Sequence, residues 1–234
     1  MKFIITLILL FITGNLLFSQ SAKKLQLTFN PTFNNSALNL SDSSYTSNRS
    51  DSLQIETLKF YISEIELLND NKVVWKEENS FHLIDAAEKK TLSNFLNLPT
   101  ELIYNKIKFN LGIDSVTNVA GAMGGDLDPT KGMYWTWQSG YVNFKLEGNS
   151  LQNADGIKEK KSFQFHLGGY MKPFYPLQTI TLNVTEKDSI KINLDAEKII
   201  SVIDLQKQHH IMSPCKEAVM LSEKIAKIFS VQQP

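Results

Sequence analysis

The dominant pattern along the chain is an alternation of apolar and polar residues in short segments that polar turns separate. Alternate residues of a β-strand face opposite sides of its sheet, so this pattern predicts strands with one buried face. The pattern is found at residues 25–29, 53–68, 72–75, 80–84, 106–113, 141–146, 162–167, 179–184 and 189–194. The last two segments are joined by a short turn, Glu186-Lys187-Asp188, which predicts a hairpin.

The C-terminal part of the chain changes to a helical period. Residues 196–203 place isoleucines at helical spacing, and Pro214 is suited to the first turn of another helix. The apolar residues of that second helix form a one-sided stripe of Ala218, Leu221, Ile225, Ile228 and Phe229. Eight or nine short strands with few helices predict an all-β fold, an antiparallel β-sandwich with a short helical C-terminal tail.

The N-terminus reads as a secretory signal peptide over residues 1–20. One cation, Lys2, precedes an apolar run that ends near residue 12, and small and polar residues follow at Ser19 and Gln20. We therefore expect a single domain over residues 21–234, in a periplasmic or secreted protein with no membrane span in the mature chain. The sole cysteine, Cys215, excludes an internal disulfide.

The balance of charge argues against two classes of partner. The 24 basic and 24 acidic residues cancel, which argues against nucleic-acid binding and against attraction to an anionic membrane. No dinucleotide fingerprint, phosphate-binding loop or zinc-protease motif occurs, and no nucleophile stands beside an acid or base in a known motif. The chain is therefore predicted not to be an enzyme.

The segment from Asp114 to Gly140 is the most informative one. It is too long for a plain turn and is rich in glycine, yet its aromatic residues argue against disorder. In an extended segment Trp135 and Trp137 would point the same way. The two indoles could plug the core, form a stacking platform for sugars, or provide an electron-rich pair beside a redox metal.

Histidines are the other candidates for chemistry. Phe165 and Leu167 face the core, so the ring of His166 faces away from it. His82 has a similar setting. His209 or His210, together with Met212 and Cys215, could provide a soft site for Cu(I), although the spacing is nonspecific and a lone histidine is more often structural.

Several of these motifs occur in an order that resembles a known family. GIDSVTNVAGAMGGDLDPTKGMYWTWQSGYVNFKLEG followed by FQFHLGGY, with LKFYISEIEL and FHLIDAA upstream, is similar to the MbnP-like secreted copper-binding proteins associated with methanobactin. The resemblance implies a periplasmic β-sandwich that binds copper, as Cu(I) or Cu(II), for copper homeostasis. It also implies that a dihaem, peroxidase-like partner oxidises a tryptophan to kynurenine.

The resemblance implies metal-site residues as well. His166 matches the family's histidine, Trp135 is the best match to the oxidised tryptophan, and Trp137 is the competing candidate. The family carries a further histidine near the loop, but here Val119 follows Asn118, so the site would hold fewer nitrogen ligands or recruit Asn118 or water. The alternative function is an exported binding module whose paired indoles hold a glycan or a partner protein.

Overall fold

The computed structural model describes residues 23–40, 44–46, 52–99, 102–138, 140–154, 157–185 and 188–232. The predicted signal peptide, residues 1–20, lies outside this part of the chain. No helix among the described residues is long and apolar enough to cross a membrane.

Strands dominate the structure, as the alternating pattern predicts. Their bounds are β1 (Lys23–Phe33), β2 (Ser36–Ala37), β3 (Tyr45–Thr46), β4 (Ser52–Asn69), β5 (Lys72–Lys76), β6 (Phe81–Asp85), β7 (Ser93–Leu98), β8 (Lys106–Leu111), β9 (Tyr134–Trp135), β10 (Gly140–Ala154), β11 (Ile157–Gly168), β12 (Gln178–Asn183), β13 (Ser189–Asp195), β14 (His210–Ile211) and β15 (Ser230–Val231). The α-helices are α1 (Ser115–Ala120), α2 (Ala196–Ser201) and α3 (Lys216–Ala226). Short 3₁₀ turns occupy Lys89–Leu92, Gly125–Leu127 and Pro129–Lys131.

The strands form two sheets within the described residues. The smaller sheet has the order β15-β13-β1-β2, with β7 also paired to β1. The larger sheet has the order β12-β8-β4-β10-β11-β14, with β3, β5 and β6 on β4 and β9 on β10. Most pairs are antiparallel, as predicted, but β1 with β13 and β11 with β14 run parallel.

The two sheets share one core, which confirms the predicted all-β, sandwich-like fold. Phe29 of the smaller sheet packs edge-on against Phe60 and Phe109 of the larger sheet, with ring centroids 5.9 Å apart in both pairs. The predicted helical tail lies against the same core, where Phe229 packs on the rings of Phe60 and Phe109. Burial of this contiguous apolar cluster is the main force that holds the fold together.

The predicted hairpin of residues 179–184 and 189–194 is wrong. The first segment is β12, which pairs with β8 in the larger sheet, and the second is β13, which pairs with β1 in the smaller one. Ile180 and Ile192 are nevertheless both buried in the shared core. The short connection therefore crosses from one sheet to the other. The apolar sides of both strands face the shared core, β12 from the larger sheet and β13 from the smaller one.

Candidate metal centre

The glycine-rich segment between β8 and β10 folds over the outer face of the larger sheet. It begins at Gly112, whose φ of +116° suits glycine and whose Cα leaves room for the side chain of Asn143. Asp114 then caps α1 by accepting a hydrogen bond from the Thr117 amide at 2.9 Å. The segment packs a second apolar cluster against this face, made of Tyr61, Leu83, Ile113, Leu127, Met133, Trp135, Tyr141 and Val142.

Asn118 fastens this loop to the sheet and is not placed as a metal ligand. Its amide nitrogen donates to the carbonyl oxygens of Ile113 and Asp114, at 3.1 Å and 2.9 Å. Its amide oxygen accepts from the backbone N–H of Tyr141 at 2.7 Å. Both ends of a buried amide are thus used in backbone hydrogen bonds, and releasing them for a metal would leave those backbone groups unsatisfied.

Trp135 lies over the strand that carries His166. Its side chain is 7% exposed, and a methyl group placed on Gly168 would lie 2.7 Å from Cζ3 and 3.0 Å from Cη2 of the indole. The six-membered ring therefore occupies the space where residue 168 would otherwise have a side chain. Residues 166 and 168 are two apart on β11, so His166 and this ring share one face of the strand, about 7 Å apart along it.

The two tryptophans differ in exposure, contrary to the extended arrangement that the sequence suggests. Trp135 ends β9, and a turn follows, so Trp137 does not continue the strand. Trp137 is 63% exposed, and its ring lies next to that of Trp135 in a tilted arrangement, with centroids 5.4 Å apart and an interplanar angle of 38°. The structure therefore has one buried and one exposed indole where an extended segment would place two on one face.

His166 faces outward, as predicted, but the structure buries it. Only 7% of the residue is exposed, and its Nε2 lies 2.7 Å from Oε1 of Glu147 on β10. An ionised carboxylate can only accept hydrogen bonds, so Nε2 carries the proton and Nδ1 keeps the lone pair. Metal-bound histidines characteristically donate their second ring N–H to a carboxylate in this way.

The local electrostatics keep this pair in the state that a metal requires. Burial lowers the pKa of His166, against the opposing effect of Glu147, so the imidazole is neutral at pH 7. Burial by itself would raise the pKa of Glu147, but hydrogen bonds from His166 and Thr57 and the charge of Lys145 lower it overall. The site therefore combines a neutral nitrogen donor with a charged carboxylate behind it.

Charged side chains form a row across the outer face of the larger sheet, in line with His166. Lys145 lies opposite His166, Lys59 lies opposite Lys145, and Asp85 lies opposite Lys59 on β6. Lys59 and Asp85 form an ion pair at 2.8 Å, while Lys145 donates to the carbonyl of Gly132 at 3.2 Å. The row thus ties the sheet to the loop that carries Trp135.

The other candidate ligands have structural partners. His82 lies 2.7 Å from Oε2 of Glu77, on the opposite face of the sheet from His166. The Sγ atom of Cys215 accepts a hydrogen bond from the Ala218 amide at 3.4 Å and caps α3. Among the described residues, no group of three or more His, Cys, Asp and Glu side chains is arranged to hold a metal.

Glu147 and Gly168 are the parts of this site that sequence reasoning missed. Glu147 falls on the outward face of its strand by simple alternation, but the pairing of β10 with β11 is what brings it to His166. Gly168 is the first of two adjacent glycines that follow Leu167, and nothing in the sequence tells which one receives the indole.

Acidification is expected to destabilise the fold through the His166–Glu147 pair. The pKa of His166 is lowered from an unfolded value of 6.5, so the unfolded chain binds the proton more readily and stability falls as pH drops below 6.5. The pKa of Glu147 is lowered from 4.5, so its contribution is lost below 4.5. Denaturant titrations should show a steeper loss of unfolding free energy in the wild type than in His166→Gln, and equal slopes would contradict this account.

Comparison with known proteins gives a sequence match and a structural match. The sequence model of the MbnP family matches residues 22–216, most of the chain. Among solved structures, MbnP from Methylosinus trichosporium aligns with a TM-score of 0.58 at 11% identity, over 78% of this chain and 79% of that chain. At that identity the structural match supports the fold alone. No curated protein matches the chain.

Proposed function

This chain belongs to the MbnP family, and from that membership we propose that it is a methanobactin-associated copper-binding protein rather than an enzyme. Its place of action would be the periplasm or the extracellular space, where the predicted signal peptide would direct it. A role in copper homeostasis follows from the same family resemblance.

One observation supports this proposal above the others. The indole of Trp135 takes the side-chain position of Gly168, on the same face of β11 as His166. The loop therefore brings the tryptophan and the histidine that the family resemblance nominates to one small region of the surface. Both residues are mostly buried, so neither is an ordinary exposed side chain.

His166 would hold the metal through Nδ1, because Nε2–H is committed to Glu147. A neutral imidazole suits copper in either common oxidation state, and the partly buried carboxylate behind it would increase its basicity. Asn118 would not take part, because its amide group holds the loop in place. Bound copper would supply a metal centre for storage or transfer, with no reaction required of the protein.

Trp135 would contribute a ligand only after oxidation. Addition of dioxygen breaks the Cγ–Cδ1 bond of the indole, and each of the two carbons takes one oxygen atom. Hydrolysis of the resulting formamide then adds water and releases formate, which leaves kynurenine with a free aniline nitrogen and a ketone. The six-membered ring that lies over Gly168 survives this change, so the new nitrogen stays beside β11.

Trp137 would be the ring that the dihaem partner reaches first. It is exposed and its ring lies close to that of Trp135, so the partner could withdraw an electron from Trp135 through Trp137 and return it after dioxygen has added, with no net loss of electrons. The two tryptophans would then have different roles. Trp135 would be the oxidised residue and Trp137 the contact with the partner.

Oxidation of the native protein is expected at Trp135 alone. Peptide mass spectrometry of protein from the native host should show kynurenine at Trp135, a gain of one oxygen and a loss of one carbon, in the peptide that also contains Trp137. Trp135→Phe should abolish the modification, whereas Trp137→Phe should slow it and leave its position unchanged. Kynurenine at Trp137, or native protein with neither the modification nor copper, would contradict the proposal.

A further inference from the structure

A short strand brings a methionine alongside His166. Strand β14 pairs in parallel with β11, with His210 opposite Gln164 and Ile211 opposite Phe165. The backbone N–H of Gln164 donates to the carbonyl of His209 at 2.7 Å. Met212 follows Ile211 directly, so an extended continuation of this register would bring it level with His166.

Burial fixes the face to which Met212 points. Ile211 and Phe165 are both buried in the main core, so they point inward from neighbouring strands. The residue that follows an inward side chain points outward, which places Met212 on the same face as His166. Met212 is 42% exposed, so its side chain reaches the surface on which an ion bound to His166 would lie.

The chain stays beside β11 after Met212. An added methyl group on Gly169 would lie 3.0 Å from Cβ of Pro214, so Pro214 packs directly on the end of β11. Residues on both sides of Met212 therefore contact β11: Ile211 through strand pairing and Pro214 through packing on Gly169. Neighbouring strands lie about 5 Å apart, a distance that a methionine and a histidine side chain can share with one ion.

Trp135 approaches the same stretch of β11 from the opposite direction. It belongs to β9, which pairs with β10, whereas Met212 follows β14 on the far side of β11. His166 therefore lies on the central strand, between a thioether on one flank and an aromatic ring on the other. The site described above has one nitrogen ligand from the unmodified chain, and this flank is where a second protein donor is available.

We propose that the thioether sulfur of Met212 is a ligand of the copper ion held by His166, and that it makes the site selective for Cu(I). This inference rests on the proposed copper-binding function. Thioether sulfur is a soft donor that favours Cu(I) over Cu(II), and methionine's unbranched side chain adapts readily to a nearby ion. Met212 would take the place of the additional loop histidine that this chain lacks.

Met212→Leu is expected to lower the Cu(I) affinity of the mature protein by about tenfold or more, the scale at which partners of metal ligands act. Cu(II) affinity should change little, because leucine removes only the soft donor. Competition with a Cu(I) chelator measures the first quantity, and X-ray absorption should show loss of a sulfur neighbour. The matched control is Met220→Leu, since Met220 is 47% exposed on α3 and should leave copper binding unchanged.

A second variant tests whether residue 212 lies close enough to His166 to bind the same ion, independently of whether its donor atom is soft. Met212→His should keep a ligand beside His166 but raise Cu(II) affinity relative to Cu(I), because imidazole suits both oxidation states. If the wild type binds copper and Met212→Leu matches it in Cu(I) affinity and sulfur scattering, the assignment of Met212 is wrong while the proposed function stands. If the wild type binds no copper, the proposed function itself fails.

Discussion

Replacing His166 with alanine is expected to lower copper affinity by about 100-fold or more. Loss of a residue that only supports a metal ligand lowers affinity by roughly tenfold to 100-fold, and loss of the ligand itself should cost more. In the proposed site His166 is the nitrogen donor, on the same face of β11 as the Trp135 ring, and alanine leaves no donor there. Isothermal calorimetry with Cu(II), and chelator competition with Cu(I), would measure the loss on the mature protein.

His82 provides a matched control for this prediction. It too lies on a strand of the larger sheet with Nε2 2.7 Å from a glutamate, yet it lies on the other face of that sheet. His82→Ala should disturb a similar hydrogen bond without changing copper affinity. Glu147→Gln should give a smaller loss than His166→Ala, because it removes only the support behind the ring. Equal copper binding by wild type and His166→Ala would reject the site.

Gly168→Ala is expected to destabilise the protein by about 1–3 kcal/mol and to weaken copper binding at the same time. The added methyl group would meet Cζ3 of Trp135 at 2.7 Å and the carbonyl oxygen of Tyr141 at 2.8 Å. The backbone oxygen cannot move without breaking the end of the sheet, so the indole must shift away from β11. Denaturant unfolding measures the first effect and copper titration the second.

Gly124→Ala is the control for this substitution. Gly124 lies in the same loop with a φ of −92°, which alanine adopts readily, and an added methyl group has no neighbour within 4 Å. Its unfolding free energy and copper affinity should match those of the wild type. A Gly168→Ala variant as stable as the Gly124→Ala variant would show that the ring is not packed on β11 as described.

Some parts of the site were predictable because they depend on alternation within one strand. Phe163, Phe165 and Leu167 are apolar, so the sequence assigns them to the core and turns His166 outward. The structure agrees, with all three apolar residues buried in the main cluster. The apolar side of α3 at Ala218, Leu221 and Ile225 was predictable for a similar reason, because helical spacing fixes one face of a helix, although Ile228 and Phe229 of the predicted stripe lie beyond the end of α3.

Other expectations failed where they depended on which segments become neighbours. Residues 179–184 and 189–194 look like a hairpin, but the partners of these strands are β8 and β1. Local turn residues cannot distinguish a hairpin from a crossing between sheets, because both need only a short polar connection. Likewise the alternating pattern placed Trp137 beside Trp135 on one face, whereas a turn after Trp135 leaves Trp137 exposed.

The sequence by itself determined the class of fold, the outward direction of His166 and the family to which the chain is similar. Only the tertiary structure decided that Glu147 supports His166, that Gly168 receives the indole, and that Met212 lies on the other flank. The physical reason is that side-chain direction is set by local periodicity, whereas proximity depends on strand pairing between residues far apart in the chain. Pairing is fixed by burial of the whole core, so no short motif encodes it.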